Sequence, residues 1–241
     1  MIWIVILVAF LWPAHLTPED FTELWIWNVG QGLWVTESSP DKCRHFDAGG
    51  ESMSWKSLWR LCRSKRNEIF LSHGDWDHIR WVPTIASRLG KACLRNRPHH
   101  GVSLWKSRHL AKVPDCQEPD TTGEVAELHS PKNPANANQS SRVYLLRDKV
   151  LLPGDSPISE ERKWAKALSE KQIKILILGH HGSHTSTSYE LLAKLRHLKM
   201  AVASSRRAKY RHPHCKTLKR LRKSGVPVLK TEDLGHIRFR L

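Results

Sequence analysis

The sequence predicts one α/β domain, and its length and composition are consistent with an αββα sandwich, two sheets face to face between layers of helix. Apolar runs of strand length alternate with helix-length amphipathic stretches, and this alternation occurs in both halves of the chain. Polar clusters able to do chemistry stand directly after the apolar runs. At 241 residues the chain is long enough to bury a sizeable core as one unit.

In the first half, strand patterns at 24–28, 33–36 and 69–71 alternate with helix-like stretches at 54–64 and 79–89. Trp25, Trp27 and Trp34 fall in the strand patterns and read as sheet-face packing. The second half predicts strands within 143–152, a helix at 159–170, a strand at 173–178, a helix at 188–198 and a strand at 200–204. A helix at 213–224 opens on Pro213, and a short strand at 237–241 closes a sheet edge. The stretch 95–141 is rich in Pro, Asn and His and reads as long loops over the site. No internal repeat or coiled-coil heptad is present.

The densest polar cluster is His73-Gly74-Asp75-Trp76-Asp77-His78, directly after Glu68-Ile69-Phe70-Leu71 and Ser72. Loops leaving strand ends can converge on an ion while the sheet holds them in place. Imidazole nitrogen and carboxylate oxygen without thiolate suit Zn²⁺ or the harder Mn²⁺ and Fe²⁺. Taken alone, Asp75 and Asp77 could simply cap the following helix. Gly154-Asp155 and His180-His181-Gly182-Ser183 argue otherwise, because each also follows a strand-length apolar run. A fourth group, His212-Pro213-His214, comes after the apolar run 200–203. The expected metal ligands are His73, Asp75, Asp77, His78, Asp155, His180 and His181, holding two divalent ions, Zn²⁺ or Mn²⁺. His73 and Asp75 are expected on one ion and Asp77 and His78 on the other. Asp155 lies between, since two neighbouring cations need a shared anion.

In this order the motifs resemble the metallo-β-lactamase-fold domain at the C-terminal end of ComEC-type DNA-uptake proteins. The resemblance starts near Asn28-Val29-Gly30-Gln31-Gly32, passes through Phe46-Asp47-Ala48-Gly49-Gly50 and ends near Thr231-Glu232-Asp233-Leu234-Gly235. It covers most of the chain after residue 22. The family usually has Asp where Asn28 and Leu33 stand and a Gly pair at Arg80 and Trp81, departures that touch the substrate mouth more than the ligands. The resemblance implies the metallo-β-lactamase fold and a hydrolase that degrades one DNA strand during uptake (competence). Asp77 is expected to orient the attacking water. His212 is expected either to donate a proton or contact phosphate, or to be a metal ligand in place of one of His180 and His181.

Residues 1–12 are almost wholly apolar and break at Pro13, too short to span a bilayer as a helix. The expected division is an export signal or membrane anchor at 1–18 and the hydrolase domain at 19–241; a fragment of a longer membrane protein or an ordinary first strand are the alternatives. Exported, periplasmic or inner-membrane-associated localisation follows, with the channel a separate chain. Cys43, Cys62, Cys93, Cys116 and Cys215 include no Cys-x-x-Cys, which argues against a zinc finger. Up to two disulfides could form, with connectivity open.

Lys and Arg number 39 against 23 Asp and Glu, a net charge of +16. Nine of these cations, Arg206, Arg207, Lys209, Arg211, Lys216, Lys219, Arg220, Arg222 and Lys223, fall in one acid-free run that begins at the candidate site. Such a run could carry a phosphate backbone toward the metals, single-stranded DNA being the favoured partner. It could also be a solvated helix face or attract anionic lipid. Trp76 and Trp81 flank the metal motif and read as packing residues more readily than as base-stacking platforms. The competing functions are hydrolysis of a small ester, lactone or lactam on the same fold, and a non-catalytic basic protein binding nucleic acid or membrane.

Overall fold

Two six-stranded sheets pack face to face in the computed structural model, which describes residues 21–98, 100–168 and 171–241. The expected segment at 1–18 lies outside the described residues. The first sheet carries β1 (Glu23–Ile26), β2 (Val35–Ser38), β3 (Lys42–Phe46), β4 (Arg66–Phe70) and β5 (Ala92–Leu94) in order. The second carries β6 (Val125–His129), β7 (Val143–Leu146), β8 (Val150–Leu152), β9 (Ile175–Ile177), β10 (Met200–Ala203) and β11 (Val228–Lys230) in order. The last strand, β12 (Ile237–Arg240), returns to the first sheet beside β1. The first half supplies helices α1 (Trp55–Cys62), α2 (Trp76–Ile79), α3 (Val82–Leu89) and α4 (Leu104–Leu110). The second supplies α5 (Ile158–Trp164), α6 (Tyr189–Lys194), α7 (Arg207–Tyr210), α8 (Cys215–Lys223) and α9 (Thr231–Leu234).

Side-chain alternation builds three apolar layers. Leu24, Ile26, Val35, Phe46 and Phe70 meet Tyr144, Leu146, Val150, Ile177 and Val202 between the sheets. The opposite face of the first sheet buries Trp27 and Trp34 against Leu58 of α1 and Ile85 of α3. On the second sheet, Leu176 and Ala201 pack against Trp164 of α5, Leu191 of α6 and Leu221 of α8. Full burial of each large apolar side chain contributes about 1.5–3 kcal/mol. The adjacent strands β3 and β4 run parallel, as do β8, β9 and β10. Their C-terminal ends carry the polar loops, so the sequence clusters converge because these strand ends do.

Several elements differ from expectation. The helix at 79–89 is two helices, α2 and α3, and the 159–170 helix is α5 followed by a 3₁₀ turn over Ala165–Leu168. The 95–141 stretch contains α4 and β6 as well as loops. Strand β3 escapes sequence reading because Lys-Cys-Arg-His-Phe does not look like a buried strand, yet all five residues are buried. Arg44 explains this. It shares the inter-sheet face with Phe46, and its Nη1 lies 2.8 Å from Glu37 and 2.6 Å from Glu124. Its Nε is 3.9 Å from the buried Glu68.

Removing one member of such a buried network leaves the others uncompensated. Arg44→Met is therefore expected to destabilise the fold by about 3 kcal/mol, the low end of the usual range, since Arg147 still pairs with Glu37 and Arg95 with Glu68. A melting temperature lower by ~6–12 °C is the expected reading, and an unchanged one would show that the network is replaceable.

Disulfides join Cys43 of β3 to Cys62 of α1 and Cys93 of β5 to Cys116, leaving Cys215 exposed and free. Among the described residues no helix is long and apolar enough to cross a membrane.

Candidate metal centre

The segment after β4 delivers His73 and His78, both fully buried, at opposite ends of a tight turn into α2. Gly49 makes this approach possible. A Cβ there would stand 2.0 Å from the Asp77 carbonyl and 2.2 Å from the His78 nitrogen. The backbone beside it locks the turn, with Ala48 N–H donating to His78 O at 2.7 Å and Leu33 N–H to Asp77 O at 3.0 Å. Asp155 follows β8, and His180 and His181 follow β9. Both histidines adopt left-handed backbone conformations, φ 48° and 55°, which non-glycine residues rarely hold. This turn aims both rings at Asp155 from one loop.

Ligand-capable atoms fall into two triads, His73–His78–Asp155 and Asp77–His78–His181, each with its donor atoms within 4.8 Å of one another. The Asp155 carboxylate lies 3.2 Å from His78 Nε2, 3.6 Å from His180 Nε2 and 3.7 Å from His181 Nε2. His73 Nε2 is 3.9 Å away. Asp77 Oδ2 sits 3.2 Å from His181 Nε2. Asp75 stands apart from both triads: its Oδ2 is 3.5 Å from His73 Nε2, while Oδ1 accepts from Lys106 of α4 at 3.0 Å. All seven expected ligands thus reach one region: Asp77 and His78 share a triad as expected, His78 also joins His73 and Asp155, and Asp75 and His180 fall in neither triad.

The outward nitrogens fix the tautomers. His78 Nδ1–H donates to Asp47 Oδ2 at 2.8 Å, and His181 Nδ1–H donates to the Ser204 carbonyl at 3.0 Å. Ser72 Oγ donates to Asp47 at 2.7 Å, which leaves it to accept from His73 Nδ1–H at 3.0 Å. Each of these rings therefore turns an Nε2 lone pair inward, toward a carboxylate that is also acceptor-only. His73 Nε2 and Asp155 Oδ1 are buried without hydrogen-bond partners. Acceptors facing one another need a cation between them, so this donor set fits a divalent metal, and the outer partners are of the kind that orient metal-bound imidazoles. Protonation answers the same demand. Burial opposes charge on His78, yet Asp155 and Asp47 raise its pKa well above the usual value. Burial likewise opposes the Asp155 anion, but His78 and His181 hold its pKa well below the carboxylate range.

Sequence reasoning missed Asp47, Ser72, Ser204 and Lys106 as supports; only Asp47 carried a signal, within the quoted Phe46–Gly50 motif. His212 lies outside both triads, its ring centroid 6.0 Å from that of His180. A cleft of about 460 Å³ opens above the centre, lined by Trp76, Asp77, Arg80, His181, Tyr210 and His212 among others. Of the basic run, Arg206 and Lys209 reach Glu51 at 2.8 and 3.7 Å. Arg207, Arg211, Lys216, Lys219, Arg222 and Lys223 are exposed. Arg220 differs. Its Nη2 donates to the carbonyls of His184 and Ser186 at 3.2 and 2.7 Å, bracing the loop after His181.

Residues 46–202 match the family model of the metallo-beta-lactamase superfamily. The chain belongs to that superfamily. Superfamily members are typically metal-dependent hydrolases, and the buried His/Asp cluster agrees with this. Competence protein ComA of Neisseria gonorrhoeae is 26% identical over 99% of this chain and 35% of its own length. Recombination protein 2 of Haemophilus influenzae is 34% identical over 88% of this chain and 28% of its own. These relatives make it a ComEC-type superfamily member, although the chain spans only about a third of their length. The metallo-beta-lactamase fold protein YhfI of Bacillus subtilis superposes with a TM-score of 0.58 at 11% identity, covering 91% of this chain and all of YhfI, which shows the shared fold.

Proposed function

We propose that this superfamily member is a metal-dependent phosphodiesterase that degrades one strand of DNA during uptake. The observation carrying this reading is the acid-free cationic segment 206–223, whose Tyr210 and His212 line the cleft above the His/Asp cluster. A second cleft, about 690 Å³, is lined by Arg207, Arg211, His214 and Glu232 among others. A small neutral ester gains little from such a surface, whereas a polyphosphate backbone does. The names of the competence and recombination relatives point the same way.

His73, His78, Asp77, Asp155, His180 and His181 would hold two divalent ions, Zn²⁺ or Mn²⁺, which when bound lower the pKa of water and offset charge on the attacked phosphate. Asp77, with its side chain 37% exposed, is the group placed to orient the attacking water. Arg80 and the 206–211 cations would neutralise neighbouring phosphates. Two disulfides suit an oxidising compartment, so the domain is proposed to act outside the cytoplasm, beside a membrane channel.

Incubating purified protein with labelled single- and double-stranded DNA plus Mn²⁺ or Zn²⁺ should give chelator-sensitive cleavage; no cleavage with either metal would refute the reading. The basic track has its own test. Lys219→Ala, Arg222→Ala and Lys223→Ala together should flatten the salt dependence of strand binding by about 2 logarithmic units per decade of salt. Metal content should be unchanged. Arg220 is left intact because it braces the ligand loop. An unchanged slope would turn this helix face away from DNA.

A further inference from the structure

We infer that Trp76 and Tyr210, which line one cleft from two different helices, form an aromatic clamp that stacks on the bases of an unpaired strand. This rests on the nuclease reading for the identity of the strand and adds what selects it. Trp76 separates Asp75 from Asp77 at the start of α2 and is 37% exposed; Tyr210 ends α7 and is 40% exposed. Both line the same cleft as Asp77, His180, His181 and His212. The contrast with Trp81 is informative. Trp81 packs edge-on against Trp55 at 5.9 Å and joins the helix-side core, whereas Trp76 lies over solvent.

Trp76 is nevertheless held in place. Its ring meets His109 of α4 at 5.0 Å and 76°, and His109 Nε2 lies 3.2 and 3.0 Å from the carbonyls of Ile79 and Arg80 at the end of α2. In the second half of the chain, Arg211 takes a left-handed φ of 58° directly after Tyr210 and leads into His212. Lys209 Nζ lies 5.1 Å from the Tyr210 ring centroid, so a cation and an aromatic surface stand together there. Aromatic rings accept any base by stacking, and cations beside them accept the backbone. In a duplex the bases already stack on each other and are paired, and extracting one costs a few kcal/mol. A cleft with two exposed aromatics beside the reacting centre therefore favours single-stranded DNA, whose bases are free to stack on them.

The test crosses protein variants with base removal. Trp76→Ala and Tyr210→Ala, each compared with Trp76→Phe and Tyr210→Phe, are assayed for binding to a labelled single strand by fluorescence anisotropy in chelator. Cleavage is followed in parallel with Mn²⁺. The same measurements use a strand carrying abasic sites. Each Ala variant should bind the normal strand about tenfold more weakly, the Phe variants should recover most of that loss, and abasic sites should weaken the wild type similarly. The Ala variants should lose little more on the abasic strand. Equal losses on normal and abasic strands, or none, would overturn the clamp. Base-dependent binding without cleavage of any DNA by the wild type would instead remove the nuclease reading and leave the clamp standing.

Discussion

Asp155→Asn is expected, on the proposed two-metal nuclease reading, to reduce bound metal from two ions per chain to one or none and to lower strand cleavage at least about a thousandfold. Asp155 is buried, and its carboxylate faces His73, His78, His180 and His181, a position no other carboxylate in the centre shares. Asparagine preserves shape and removes the negative charge. Two neighbouring divalent ions then lack the anion that offsets their repulsion. Elemental analysis after dialysis against Mn²⁺ or Zn²⁺ reads the stoichiometry, and cleavage is measured on the same sample. Full double occupancy in the variant would remove the shared-ligand role.

A pH dependence follows from the same geometry. The pKa values of His78 and His181 are raised, despite burial, chiefly by Asp155, so protons compete for the centre. Metal affinity should therefore rise with pH through the titration of these imidazoles, with proton release on binding. An affinity independent of pH would contradict the protonated metal-free centre.

The cluster of candidate ligands was legible because its groups follow apolar strand runs, and residues at neighbouring parallel strand ends converge. Their grouping was legible only in part. It depends on which ring nitrogen faces inward, fixed by Asp47, Ser72 and the Ser204 carbonyl, none of which is adjacent in sequence to the ring it orients except Ser72. Asp75 reaches the centre as its spacing suggests, with Oδ2 3.5 Å from His73 Nε2, but its second partner, Lys106 on Oδ1, lies 31 positions away and was not legible. Strand β3 was hidden for a similar reason, since Arg44 reads as surface until its carboxylate partners on β2 and β4 are known. Trp76 and Trp81 share one motif and differ in fate because α2 ends between them, leaving Trp81 turned into the helix-side core. The layered fold was easier to read, as hydrophobic periodicity carries it locally.

His212→Ala is expected to retain metal and lose about 10²–10³-fold in cleavage. His212 stands outside both ligand triads, yet it lines the cleft and its Nδ1 is buried without a partner. Burial first, then the neighbouring His181 and His180, lowers its pKa to about 4, so the ring is neutral near pH 7 and carries one N–H to donate. An arriving phosphate anion would favour its protonation and so strengthen a role at the leaving oxygen. If it protonates that oxygen, the variant's deficit should shrink on a nitrophenyl phosphodiester, whose leaving group needs no proton. A deficit equal on both substrates and confined to KM would make it a phosphate contact. Loss of metal would make it an inner ligand in place of His180 or His181, because a ring that only donates a hydrogen bond has no reason to govern metal retention.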